Sequence, residues 1–296
     1  TLGLNGESSP SNWPVWFTGP VSVSLNSVDG STGGARSGIN HLMYRLDGGS
    51  WQTVSNTSTS FTVNSDGAHT VEYYAVDNVG NTEAAQSMAF QIDQTPPGYP
   101  SNVSESHGVQ NNQWQKDNNV PIFTWDAASD DLSGLSGYQV YFGEDPSGTG
   151  LVNISANEQR EWTPQPDGVH TSTYYLRGRT RDNAGNWSAW TTWFTYRYDG
   201  TPPENPTQIS HAAGITNTLW QNLSNMADFA WPVPHDEGSG IQGYYVAWGI
   251  DPNATSDILL TDNTYLNLTP LCGAAEACIG YLRLRSVDNV GNLAGD

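Results

Sequence analysis

The pentapeptide Asp-Asn-x-Gly-Asn occurs three times, starting at Asp77, Asp182 and Asp288, so successive copies stand 105 and 106 residues apart. A period of that size marks tandem modules of about 100 residues, and three of them account for the 296-residue chain. Each copy follows a run of alternating apolar and polar residues, which is the setting of a β-hairpin whose Gly takes the positive φ that other residues avoid. A second signal shares the period: Asp93-Gln-Thr-Pro-Pro97 returns 106 residues later as Asp199-Gly-Thr-Pro-Pro203. A Pro-Pro pair fixes φ twice and restricts the residue before it, so these are short, stiff linkers. They divide the chain into modules 1–94, 95–200 and 201–296.

The modules read as all-β. Val21–Leu25, Leu42–Leu46 and Val71–Val76 alternate with period two, Asp47-Gly-Gly49 is a hairpin turn, and no segment sustains a helical period. The second and third modules match without a gap: Trp114 with Trp220, Trp125 with Trp231, Tyr138 with Tyr244 and Asn186 with Asn292 are all 106 apart. The match reaches Asp296, opposite Trp190, so the run Trp190–Tyr198 that supplies the second module's last strand has no counterpart. The third sandwich is therefore expected to lack its final strand and to present an open edge. Other copies of the protein, or neighbouring modules of a longer chain, could fill that edge by lending a strand. A start at Thr1, with neither Met nor a secretory leader, fits a processed product or a piece of something longer.

Certain of these residues resemble known modules. Phe123-Thr-Trp125 and Ala230-Trp231, then Gly137-Tyr138 and Gly243-Tyr244, then Tyr-x-Leu-Arg-x-Arg before the hairpin, resemble the fibronectin type III module. In the first module, Ser37-Gly-Ile39, Tyr44–Gly49 and His69–Asp77 resemble the bacterial Ig-like repeats of large surface proteins. The resemblance implies three tandem Ig-like or fibronectin type III β-sandwiches in a rod, the last without its final strand, in an extracellular or cell-surface protein. It implies little about activity, because sandwiches host many roles.

Composition narrows the partners. There are 30 acidic residues against 10 basic ones, and Lys116 is the single lysine, for a net charge of −20. Nucleic acid and anionic membrane both require clustered Lys and Arg, so neither is an expected partner. No apolar run is long enough for a membrane span. Cys272 and Cys278 have five residues between them and no His or further Cys beside them, which favours a local disulfide over a metal pair. Seven Asn-x-Ser/Thr sequons fit an exposed chain.

The acidic residues gather once placed on the fold. In fibronectin topology, the loop after the early Trp strand and the Asp-Asn-x-Gly-Asn hairpin both lie beside the incoming linker. That groups Asp93, Asp130, Asp131 and Asp182 at one junction, and Asp199, Asp236, Glu237 and Asp288 at the next. Hard oxygen ligands converging between modules suit calcium. The alternative is that these side chains accept from backbone N–H groups in turns. Arg177, Arg179 and Arg181 alternate along one strand face, with Trp187 and Trp190 across the hairpin, and guanidinium on indole would form a ladder that stiffens it. Of the 12 Trp, Trp13, Trp16, Trp51, Trp162 and Trp193 remain as exposed platforms for a glycan, with core and edge packing as the plainer reading. No His-Glu-x-x-His, nucleophile elbow or phosphate loop is present, and no catalytic residues or other cofactors are expected. The sequence thus reads as a non-enzymatic extracellular stalk, adhesin or filament subunit. The alternatives are carbohydrate-binding accessory modules of a large secreted hydrolase, or a receptor-like ectodomain.

Overall fold

The computed structural model describes residues 1–5, 15–30, 36–150, 152–155, 161–165, 167–211, 216–220, 227–255, 258–261, 264–269, 271–272 and 276–295. Among these, every regular element is a β-strand.

The first module contains β1 (Leu2–Leu4), β2 (Trp16–Phe17), β3 (Val21–Asn26), β4 (Ile39–Leu46), β5 (Gln52–Val54), β6 (Ser58–Val63), β7 (Gly67–Asp77) and β8 (Gln86–Ile92). They form two sheets, ordered β1-β3-β6 and β2-β8-β7-β4-β5. Strand β3 shows why: Val21, Val23 and Leu25 turn inward and are buried, while Ser22 and Asn26 face out. They meet Leu42, Val71, Phe90 and Ile92 from the opposite sheet. The β4–β5 turn has positive φ at Asp47 (51°) and Gly48 (69°), and Gly49 N–H donates to Leu46 O at 2.9 Å, the primed hairpin its sequence predicts.

The second module repeats this order. Its strands are β9 (Ser101–Glu105), β10 (Trp114–Gln115), β11 (Phe123–Asp126), β12 (Leu135–Gly143), β13 (Val152–Ser155), β14 (Glu161–Trp162), β15 (Ser172–Asp182) and β16 (Thr191–Tyr198). The sheets run β14-β11-β9 and β10-β16-β15-β12-β13. Three strands thus face four, with the short β10 parallel to β16 on the outer edge, consistent with the expected β-sandwich. Phe123, Trp125, Tyr138, Leu176, Phe194 and Tyr196 fill the core, each worth about 1.5–3 kcal/mol on burial.

In the third module β17 (Ser210–His211), β18 (Ala227–Ala230), β19 (Ile241–Gly249), β20 (Leu259–Thr261), β21 (Tyr265–Leu268) and β22 (Tyr281–Asp288) form sheets β17-β18-β21 and β20-β19-β22. Among the described residues no strand pairs with the outer edge of β22, where β16 lies in the second module. The core shrinks to Trp231, Tyr244 and Val246, and Leu282 is only half-buried where its counterpart Leu176 is 0% exposed. Trp114 sits in β10 beside β16, with the Arg197 guanidinium 5.6 Å from its ring; its counterpart Trp220, with no such neighbour among the described residues, is 75% exposed. The Cys272–Cys278 disulfide closes the loop between β21 and β22.

The far pole of the second module is tied by a buried carboxylate. Glu105, 4% exposed, accepts from Ile122 N–H (3.1 Å), Asn118 Nδ2 (2.9 Å), His107 N–H (2.8 Å) and Val109 N–H (3.3 Å), with the His107 ring 2.9 Å away. Burial alone would raise its pKa, but the donors outweigh burial and hold it below the ordinary value. A depressed carboxyl contributes stability that is present above its unfolded value, 4.5, and is lost as pH falls through the folded one. Acid unfolding of the second module should therefore steepen below that pH. Glu105→Gln should lower stability at neutral pH by about 1–3 kcal/mol, because it turns backbone donors against an amide, and should flatten the acid limb. Urea unfolding across a pH series, followed by Trp fluorescence, reads both effects.

Candidate functional site at the module junctions

Each junction is built around an aspartate that closes the last strand of one module and enters the next. Asp93 extends β8: its N–H donates to Phe17 O at 2.9 Å, continuing the parallel pairing with β2. Asp199 extends β16 in the same way, donating to Gln115 O at 2.9 Å. Both are 0% exposed. A buried carboxylate needs donors, and here they come from both sides of the junction. Asp93 Oδ1 accepts from Thr95 N–H (3.1 Å) in its own linker, while Oδ2 accepts from Ser133 N–H (3.1 Å) in the next module. Asp199 does the same with Thr201 (3.2 Å) and Ser239 (2.7 Å).

The Asp-Asn-x-Gly-Asn hairpin supplies the rest. Asp182 Oδ1 accepts from Gly185 N–H (2.6 Å) and Asn186 N–H (2.8 Å), and Gly185 takes φ 113°. Asp288 Oδ1 accepts from Asn292 N–H (2.8 Å) in the same way, but its other donor is Val290 N–H (3.0 Å), one residue earlier in the turn, and Gly291 takes φ 85°. The closing Asn then reaches across. Asn186 Nδ2 donates to Asp93 O at 2.7 Å and Asn292 Nδ2 to Asp199 O at 3.0 Å, as each also does to its own module's Asp182 or Asp288 at 2.8 Å. Asn186, one of the sequons, is thus committed to the junction. At the second junction Lys116 also crosses, its Nζ donating to Gly291 O at 2.6 Å. Sequence reasoning missed both the Asn clamp and Lys116, although the recurrence of Asn at each hairpin's end and the chain's single lysine were visible.

Six of the eight acids expected at the junctions converge. Asp93, Asp130 and Asp182 each offer an oxygen within 4.8 Å of the others, and Asp199, Asp236 and Asp288 do the same. Asp131 and Glu237 do not join; both are exposed, because the loop turns its preceding acid inward instead. Asp130 Oδ2 accepts from Leu132 N–H (3.2 Å) and Gly134 N–H (2.7 Å), and Asp236 Oδ2 from Gly238 (3.1 Å) and Gly240 (2.7 Å). These turn bonds leave lone pairs free, since a carboxylate has about four acceptor positions. Asp236 Oδ1 is enclosed and accepts no hydrogen bond from the described residues. Three carboxylates this close repel one another, and a divalent cation coordinated by their free oxygens would remove the repulsion.

The Arg/Trp ladder forms with a smaller membership. The Arg179 guanidinium lies 4.2 Å from the Trp187 ring and 5.4 Å from Trp190, and Arg181 lies 5.3 Å from Trp187. Arg177 is not a rung. The hairpin returns with Trp187 opposite Arg181, so position 177 is beyond the rings, and Arg177 Nη1 donates to Gly148 O at 2.6 Å. The proposed glycan platforms are largely engaged. Trp193 packs 5.7 Å from Trp125, Trp162 lies against the second core, Trp16 is in β2, and Trp51 sits edge-on to Tyr74 under Arg45. Trp13 lies outside the described residues.

No family model and no curated protein matches the chain. Among solved structures it is similar to the chicken CNTN1 FN1-FN3 domains, at 14% identity over 94% of this chain and 92% of that one, TM-score 0.28. It is also similar to the Clostridium thermocellum CbhA fibronectin(III)-like modules, at 13% identity over 65% of this chain and 91% of that one, TM-score 0.33. The module fold itself is read from the strand order and core of this chain.

The clamp geometry separates the hairpins by what they hold. Asn186→Ala leaves the buried Asp93 carbonyl without its donor and should destabilise the second module by about 1–3 kcal/mol. Asn81→Ala, at an exposed hairpin end bonded only to Asp77, should cost less. Calorimetric melting of the two variants measures the difference, and equal losses would show that the clamp contributes nothing.

Proposed function

We propose that the chain is a non-catalytic structural spacer of an extracellular or cell-surface protein, its modules held in fixed relation by calcium at each junction. The observation that carries this reading is the pair of carboxylate triads, built from corresponding residues at both junctions, each with oxygens within 4.8 Å. The net charge of −20 and the unpaired, enclosed Asp236 Oδ1 support a cation over an anionic partner. Asp93, Asp130 and Asp182 would hold one ion, and Asp199, Asp236 and Asp288 the other. The ion's role is mechanical: it ties the linker aspartate to two loops of the following module. The outer edge of β22, which pairs with no strand among the described residues, supports the further reading of a stalk or filament that takes an added strand there, either from the same chain or from another copy.

Carbohydrate-binding accessory modules of a secreted hydrolase remain the second reading, and the 75% exposed Trp220 is the residue that favours it. Saturable quenching of Trp fluorescence by a polysaccharide, lost in Trp220→Ala, would support that alternative.

Calcium should raise the unfolding midpoint relative to chelator, because a ligand of the native state stabilises by mass action, by about 2.7 kcal/mol at a hundred times the dissociation constant. Calorimetric titration should count two ions per chain, falling to one in Asp130→Ala and in Asp236→Ala and to none in the double variant. Identical melting with calcium and chelator, together with no heat of binding, would leave the aspartates as turn-capping groups.

A further inference from the structure

The first module carries the same receiving end as the other two, without an occupant among the described residues. In the second and third modules the frame is a loop Asp whose Oδ2 accepts from a Gly N–H at 2.7 Å: Asp130 from Gly134, and Asp236 from Gly240. Those glycines have φ 80° and 85°, and their carbonyls accept from Asn183 and Asn289 N–H. The first module reproduces this. Asp29 Oδ2 accepts from Gly38 N–H at 2.7 Å, Gly38 has φ 80°, and its carbonyl accepts from Asn78 N–H at 3.0 Å. The connection is longer, nine residues from Asp29 to Gly38 against four from Asp130 to Gly134, yet it closes on the same bond. Asn78 Nδ2 donates to Ser37 O, as Asn183 and Asn289 do to Ser133 and Ser239.

What differs is the incoming aspartate. Ser133 and Ser239 give their N–H to Asp93 and Asp199, whereas no described residue accepts from Ser37 N–H. Asn186 and Asn292 each share Nδ2 between their own hairpin and the linker carbonyl, whereas Asn81 Nδ2 bonds only Asp77 Oδ2, at 2.7 Å. Asp182 and Asp288 are 1% and 0% exposed, whereas Asp77 is half-buried and Asn81 exposed. The groups at the first module with no such partner among the described residues are the ones that meet Asp93 and Asp199 at the other two junctions.

We propose that this end of the first module is a docking surface for the last strand of another β-sandwich module that ends in Asp-x-Thr-Pro-Pro. The incoming Asp carbonyl would accept from Asn81 Nδ2, one carboxylate oxygen would accept from Ser37 N–H, and the carboxylate would join Asp29 and Asp77 as a third triad. A second copy of this chain cannot supply the segment, because its two Asp-x-Thr-Pro-Pro runs, at Asp93 and Asp199, are already seated in its own junctions. The occupant proposed is therefore an Asp-x-Thr-Pro-Pro segment other than the two seated here. The seat is defined by hydrogen bonds and does not require calcium, so the test is run in calcium and in chelator, and failure of the calcium reading leaves it standing.

The probe is a capped peptide copying Tyr196–Glu204, titrated into the full chain labelled with nitrogen-15. A companion peptide carries Ala in place of Asp199. A second arm fuses the Asp-containing segment ahead of Thr1, so that effective concentration replaces affinity. The Ser37 amide and the Asn81 side-chain amide should shift with the Asp peptide and not with the Ala peptide. In the fused chain Ser37 amide exchange should slow about tenfold or more, as expected of an amide that gains a buried partner. Unmoved Ser37 and Asn81 signals in the fused chain, equal shifts from both peptides, or the same shifts on self-association of the unmodified chain would each overturn the proposal.

Discussion

A charged group with no water around it fixes how these modules meet. Asp93 and Asp199 are completely buried, and a carboxylate removed from solvent costs several kcal/mol unless hydrogen bonds replace the lost water. Half of the replacement comes from the linker's own Thr95 or Thr201 N–H. The other half comes from Ser133 or Ser239 N–H in the following module. A hinge motion at the linker would break the second half and leave the charge unsatisfied. The junctions are therefore held by a requirement for donors. The Pro-Pro pair that follows restricts the chain to directions that keep those donors in place.

The fold was legible because its strongest signals are local. Gly80, Gly185 and Gly291 all take positive φ at the hairpins, as an Asp-Asn-x-Gly-Asn turn demands, and the inward alternation of Val21, Val23 and Leu25 needs only period-two reasoning. The convergence of Asp93, Asp130 and Asp182 followed from combining the repeat with sandwich topology. What escaped was set by side-chain direction and by register. In a tight loop one of two adjacent acids turns inward, and sequence does not say which, so Asp131 and Glu237 were included with Asp130 and Asp236. Arg177 shares a strand face with Arg179 and Arg181, but the position of Trp187 opposite Arg181 leaves it beyond the rings. Trp220 matches Trp114 by spacing, yet exposure depends on whether β16 has a counterpart at its side.

The cores show how strongly one strand weighs. Strand β16 contributes Phe194 and Tyr196 to the second module's core, where Leu176, paired with Phe194, is 0% exposed. In the third module Tyr244 is still buried against Trp231, the rings 5.3 Å apart, but Leu282 and Leu284 stay half-covered along the open edge of β22. A sandwich of this size needs apolar contact from both sheets, and among the described residues Leu282 and Leu284 receive less of it than Leu176 does.

The hairpin motif does two jobs with the same atoms, which explains why so few residues can specify a junction. Its first Asp caps the turn through Oδ1, with donors from within its own module. The closing Asn anchors one amide hydrogen on that Asp and turns the other outward, to a main-chain carbonyl that any residue would offer. Only the incoming carboxylate and the Pro-Pro stiffness then need to be encoded in the neighbour. The surrounding positions are free to differ, and they do: Leu132 stands where Gly238 does, and Ala184 where Val290 does, while Ser133 and Ser239 N–H still donate to the incoming carboxylate. A receiving end that asks so little of its partner can be repeated from module to module. In the first module's hairpin Asp77 is capped in the same way, and among the described residues Asn81 Nδ2 bonds Asp77 alone.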